Sequence, residues 1–222
     1  YLIIPIFSTY SLNGEALEIT GETSITPEKV SGYKGQIKKC TITTRDILTI
    51  KSKAFLQFSG LEEFTITAES VTFESQSFQM TSIDAFRIKT TTGTVIAESN
   101  SFIMASIKSF EVESVNTIAF LTHSAAQLID METLKLISQN GGVNFSTSAL
   151  ISSTIETISI QAKTNILFDW LSFKGVSFKE MHISAGGNVN FDLGSFQNSA
   201  GETFIVESGG KVQFRDRAFH AT

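Results

Sequence analysis

Apolar residues return in columns along most of this chain. The first column holds Ile37, Leu61, Ile83, Ile107, Met131, Ile155 and Phe178, at intervals of 22 to 24 residues, and breaks at Gly201. Three positions later stand Cys40, Phe64, Phe86, Phe110, Leu134, Ile158, Met181 and Phe204, and two further on Ile42, Ile66, Ile88, Val112, Leu136, Ile160, Ile183 and Val206. A second group runs Leu48-x-Ile50, Val71-x-Phe73, Val95-x-Ala97, Ile118-x-Phe120, Val143-x-Phe145, Ile166-x-Phe168, Val189-x-Phe191 and Val212-x-Phe214. About five residues beyond it comes Phe55, Phe78, Phe102, Ala126, Leu150, Phe173, Phe196 and Phe219, nearly always preceded by Ala or Ser.

Within each repeat, apolar and polar residues alternate, as in Phe64-Thr65-Ile66 and Val71-Thr72-Phe73. That period of two belongs to a strand with one buried face. A repeat this regular is one coil of a solenoid, whose strands pair with their equivalents above and below. The expected fold is all-β: a single-domain parallel β-helix or β-solenoid with 22–24-residue coils and about 8–9 rungs, a rod roughly 40 Å long at about 4.8 Å per rung. Residues 1–36 read as an N-terminal cap and first degenerate rung around Leu17 and Ile19, and residues 37–222 as the solenoid repeats. Gly141-Gly142, Gly186-Gly187 and Gly209-Gly210 precede second strands, where a tight corner is expected to use the φ freedom of glycine. Ala126 and Leu150 thin the Phe column, and Leu121 or Leu128 is the expected filler.

Composition supports a buried aromatic interior. Phe occurs 19 times against three Tyr and one Trp, and a ring without a polar handle suits stacking inside better than display. The 22 carboxylates against 17 Lys plus Arg give a net charge of −5, which argues against a nucleic-acid face. No apolar run reaches the roughly 18 residues of a membrane-spanning helix; the one at residues 2–7 is far too short. The chain opens on Tyr1, which leaves a removed signal peptide compatible with it. Asn144-Phe145-Ser146 is a glycosylation sequon compatible with a secreted or cell-surface location.

The coil length, short strands and Gly corners resemble right-handed parallel β-helices. The order Ala54-Phe55-x-x-Phe58-x-x-Leu61-x-x-Phe64-x-Ile66 also resembles the extracellular leucine-rich repeat. It departs from that pattern in lacking a recurrent ladder asparagine and in its strand-like Val-x-Phe pair.

Inward positions are committed to the core, so chemistry must lie outward. On the first strand these positions read Thr41/Thr43, Thr65/Thr67, Arg87/Lys89, Glu111/Glu113, Lys135/Ile137, Ser159/Gln161, His182/Ser184 and Ile205/Glu207. The two Thr-x-Thr rungs resemble ice-binding solenoids, but the array then turns charged. Arg87, Lys89, Glu111 and Glu113 place opposite charges on adjacent rungs, a cross-strand pairing pattern and a candidate partner patch. After the second strand, Asp169, Asp192 and Arg215 fall on successive rungs. This resembles β-helix polysaccharide lyases, where stacked acids hold Ca²⁺ and an arginine acts as base, although two aspartates are few for a cation that takes six to eight oxygens. Trp170 is placed to stack on a sugar. His123, His182 and His220 lie on different rungs without ligand partners, so no metal or cofactor is expected. Cys40 sits in an inward column and is expected to be an inert core thiol.

The reading that follows is a non-enzymatic recognition solenoid, binding a protein or glycan partner along a flat β face. A continuous uncharged face longer than three rungs is what that reading requires. Outward apolar residues at Ile96, Ala119, Leu167, Ile137 and Ile205 mark candidate patches. Phe219 stops in mid-rung, so an open solenoid end offers a route to self-association. A polysaccharide-active enzyme at Asp169, Asp192 and Arg215 is the alternative, with ice binding as a second.

Overall fold

A computed structural model describes residues 8–125, 127–128 and 131–220. The apolar run at 2–7, Ala126 and the pair Ala221-Thr222 lie outside the described residues. The chain is a parallel β-solenoid of about nine coils. Each coil carries one long strand and one short strand, of three residues in all but the first coil, and the later coils add a wall of turns. The long strands, from Ala16–Thr20 to Ala200–Ser208, form one sheet; the short ones, from Ser24–Ile25 to Val212–Phe214, form the other. All pairings are parallel except the first, where Thr9–Asn13 folds back antiparallel on Ala16–Thr20 through Gly14 and closes that edge of the long sheet. The second parallel sheet on every coil is the β-helix trait that the sequence pattern anticipated.

The apolar columns become ladders, each member stacked on its equivalent. Cys40, Phe64, Phe86, Phe110, Leu134, Ile158, Met181 and Phe204 are register partners in sequence order. Phe120, Phe145, Phe168, Phe191 and Phe214 make a continuous ring stack, with centroids 5.4, 5.2, 4.9 and 4.8 Å apart and planes within 10° of parallel. Since carbon contact distances are about 3.5–4.0 Å, these separations imply laterally offset rings, the favoured aromatic arrangement. A second stack, Phe173, Phe196 and Phe219, meets the first edge-on, for example Phe168 against Phe173 at 78°. Phe214 and Phe219, at the end of the stacks, are about half exposed; each of the buried rings stabilises by about 1.5–3 kcal/mol.

The third side is a wall of turns. Backbone bonds climb from coil to coil there: Phe55 N–H donates to Ser77 O, Phe78 N–H to Ser101 O and Phe102 N–H to Ser124 O. The same register carries on from Ala125 N–H to Ala149 O, which puts Ala125 in the Phe column. This corrects the expectation of Ala126 there. The coil from Ile118 to its partner Val143 spans 25 residues, and its extra residue falls after Ala125. Leu128, 1% exposed, lies in the interior here, whereas Leu121 is 37% exposed and does not.

The glycine expectation is also corrected. Gly141, Gly142, Gly186, Gly187, Gly209 and Gly210 have no positive φ. They are needed because successive coils touch at this corner. A Cβ on Gly186 would collide with the carbonyl oxygen of Lys163, and one on Gly187 with the Asn165 carboxamide. That carboxamide is occupied: Asn165 Oδ1 accepts the Asn188 N–H at 2.7 Å, and Asn188 Oδ1 accepts the Lys211 N–H at 2.8 Å. Left-handed backbone occurs instead in the turn wall, twice per coil, mostly at non-glycine residues such as Gln76 and Met80, Asn100 and Met104.

Candidate functional site

The long sheet carries the charges. Arg87 lies in register with Thr65 and Glu111, Lys89 with Thr67 and Glu113, and Glu111 with Lys135. Lys89 Nζ reaches Glu113 Oε2 at 3.3 Å, and Gln139 Nε2 donates to Glu113 Oε1 at 2.6 Å. Arg87 turns the other way, to Glu63 Oε1 at 3.1 Å. Glu111 and Lys135 face each other in register without an ion pair among the described residues. All these side chains stand in solvent, where a pair contributes about 0–1 kcal/mol. A shallow groove of about 260 Å³ crosses these rungs, floored by Ile66, Ile88 and Val112 and edged by the same charges. The Thr-x-Thr array covers only the rungs of Thr41/Thr43 and Thr65/Thr67 before Arg87 and Lys89 interrupt it.

The short sheet is different. Its outward positions are Thr49, Thr72, Ile96, Ala119, Asn144, Leu167, Asn190 and Gln213, aligned Cα to Cα through eight coils without one charge. The row exceeds the three rungs that a flat recognition face requires. Asn144 projects from the middle of it, half-buried in Val143–Phe145, so a glycan there would stand on this face.

Asp169, Asp192 and Arg215 line the edge of the short sheet. Asp169 Oδ1 accepts the Trp170 N–H at 2.7 Å, and Asp192 Oδ1 accepts the Leu193 N–H at 2.7 Å, so each aspartate caps its own turn. Arg215 Nη1 holds both carboxylate oxygens of Asp192 at 3.3 Å. Glu74, in the same column, instead reaches back one coil, accepting from Lys51 Nζ at 2.6 Å and from the Ser52 N–H at 3.1 Å. These bonds give Glu74, Asp169 and Asp192 a structural role. Among the described residues no cluster of three or more His, Cys, Asp or Glu is placed to hold a metal ion. The two aspartates are therefore a poor fit for Ca²⁺, and no lyase step follows from them.

Trp170 stands half out of the protein, 50% exposed, and its indole N–H has no partner among the described residues. It lines a small hollow with Leu193 and Arg217, and a second hollow, on the same edge of the short sheet, is lined by Leu167, Asn190, Asp192, Gln213 and Arg215. Periodicity could not reveal these hollows, because they depend on which outward side chains meet across coils. Cys40 is buried, and desolvation pushes its thiol far above the usual range, which leaves it unreactive. His182 Nε2 lies 3.4 Å from Glu207 Oε2 on an exposed rung. No helix among the described residues is long and apolar enough to cross a membrane.

No family model, curated protein or solved structure matches this chain. What it can do therefore rests on its faces. Two sheets and a turn wall present repeating side chains at rung spacing, which suits polyvalent binding of an extended ligand.

Proposed function

We propose that this solenoid is a non-enzymatic recognition module, secreted or displayed at a cell surface, which binds a protein or glycan partner along the flat short-strand sheet. The unbroken uncharged row from Thr49 to Gln213 carries this reading. A partner lying on it desolvates small polar and apolar groups, whereas docking on the long sheet would strip water from ion pairs that return little. The rigid ladders beneath hold the row in place, so little ordering entropy is spent on binding.

The test is a binding screen over arrayed glycans and peptides with wild type and two surface variants. Ala119→Arg/Asn144→Arg places charge and bulk on the row, and Arg87→Glu/Lys89→Glu inverts charges on the other sheet. Loss of binding in the first variant alone is the expected result; loss in the second alone moves the site to the long sheet and refutes the assignment. Use of this face and glycosylation at Asn144 exclude each other sterically, so mass spectrometry of the secreted protein should find Asn144 unmodified. Uronide cleavage that disappears in Asp192→Ala would establish the enzyme instead.

A further inference from the structure

The edge of the short sheet near the last coils differs from the rest of the row. Trp170 is the one tryptophan of the chain and presents a half-exposed ring. Leu193, exposed on the next coil, follows Asp192 and lines the hollow of about 170 Å³ that Trp170 also lines. On the other side of the Asp192-Leu193 edge is the hollow of about 90 Å³, with Asn190 and Gln213 in register on adjacent strands. Neither carboxamide has a side-chain hydrogen bond among the described residues, so each offers two donors and an acceptor to a ligand. Arg215, held against Asp192 through one of its nitrogens, adds further donors.

We propose that this edge is a binding site for a neutral, linear oligosaccharide of hexopyranose units. This rests on the reading of the short sheet as the recognition face and names its ligand. A pyranose ring has an apolar C–H face and a rim of hydroxyls. Trp170 supplies a flat apolar platform for the first, with an indole N–H at its edge. Asn190 and Gln213 supply paired donors and acceptors for the second, one coil apart, so that successive sugars meet equivalent amides. Local charge is balanced, with Asp169 and Asp192 against Arg215 and Arg217, so nothing at this edge calls for an acidic sugar. A sugar presents several free hydroxyls around one ring, each able both to donate to and to accept from these carboxamides.

The lone tryptophan makes the site self-reporting. Neutral and uronate oligosaccharides are titrated into the full chain while Trp170 emission is recorded, with isothermal calorimetry in parallel. Neutral oligomers should shift or quench emission and bind in roughly the millimolar range or tighter, as expected for a shallow site. Asn190→Ala and Gln213→Ala, which keep the reporter, should each weaken that response, and Trp170→Ala should lose about tenfold or more by calorimetry. Circular dichroism melts should be unchanged, because the ring is surface-exposed. Absence of any emission change with every neutral oligosaccharide, binding of uronates alone, or full affinity in Trp170→Ala would each overturn the site. If Ala119→Arg/Asn144→Arg abolishes binding of some ligand while Trp170→Ala does not, the recognition face stands and only this site falls.

Discussion

In the turn wall, the position before the Phe column is Ala54, Ser77, Ser101, Ser124, Ala149, Ser172, Ser195 and Ala218, all buried. The hydroxyls of Ser77, Ser124, Ser172 and Ser195 have no hydrogen-bond partner among the described residues, whereas Ser101 Oγ donates to Ser124 O at 3.3 Å. A buried hydroxyl left unpaired costs about 1–3 kcal/mol, while a made hydrogen bond contributes about 0.5–1.5 kcal/mol net. The same substitution should therefore have opposite signs in one column. Ser172→Ala and Ser195→Ala should each stabilise by about 1 kcal/mol, and the three natural alanines show that the backbone accepts the smaller residue. At about 2–4 °C per kcal/mol for a chain of this size, each melt should rise by that interval. Ser101→Ala should instead lower it slightly. Far-ultraviolet circular dichroism melts, with urea midpoints as a second measure, provide the comparison. Ser172 and Ser195 are on adjacent coils, linked where Phe173 N–H donates to Ser195 O, so the double variant is the place to look for coupling. A fall in melting temperature for both single variants, or the same sign for Ser101→Ala, would refute the reasoning.

Other outcomes follow from backbone and charge. Gly186→Ala should destabilise by about 1–3 kcal/mol, since its methyl meets the Lys163 carbonyl of the coil below; an unchanged urea midpoint would show that the corner can open. Met104→Gly should stabilise by about 0.5–1 kcal/mol, because φ of +56° costs an L-residue about 1–2 kcal/mol and glycine returns part of that as unfolded-state entropy. Acid should weaken the N-terminal coils first. Burial works to raise the Glu22 pKa, but the Lys29 ammonium at 2.6 Å together with bonds from Ser8 and Ser24 leaves the carboxyl below its usual value; for Glu74 the bond from Lys51 is the leading cause of the same lowering. A depressed carboxylate contributes stability that is present above the unfolded pKa of about 4.3 and lost as pH falls through the folded value. Stability measured from pH 6 downward should therefore drop below that point, and Glu22→Gln should flatten the drop.

The architecture was legible because the core repeats. A slip of one residue would turn every Phe, Ile and Val of a strand outward, so the columns of Phe64 and Val71 fix register as well as strand identity. The turn wall was less legible. Its left-handed positions hold Lys53, Gln76, Asn100, His123 and Leu171, residues with nothing in common, because coil-to-coil bonding imposes the conformation and no side chain requests it. That is also why the Phe column was misplaced at Ala126: the inserted residue could only be located from the Ala125 N–H bond to Ala149 O. Glycine misled in the opposite direction. Gly186 and Gly187 suggest a tight corner that uses positive φ, but their backbone is ordinary and their role is clearance. Asp169 and Asp192 were visible as a column, yet the bonds to Trp170 and Leu193 that account for them run to their own next residue, which no spacing across coils reveals.

The outward faces divide by how much water they bind. On the long sheet, Lys89 with Glu113, Lys108 with Asp84 and Lys179 with Glu156 pair across neighbouring coils at 3.3, 2.7 and 2.6 Å. Such pairs gain little in solvent, but they cancel charge locally and keep a ten-strand sheet from offering a sticky face. Desolvating them would cost more than most ligands return. On the short sheet the central row carries no charge, and the ion pairs Lys51–Glu74 and Arg215–Asp192 lie along its edge. Its Thr, Ile, Ala, Asn, Leu and Gln side chains alternate small apolar surface with amide groups, and Trp170 adds a large ring at its edge. Where the same rigid coil presents both faces at the same spacing, the lower desolvation cost of the uncharged row is the physical ground for proposing it as the recognition face.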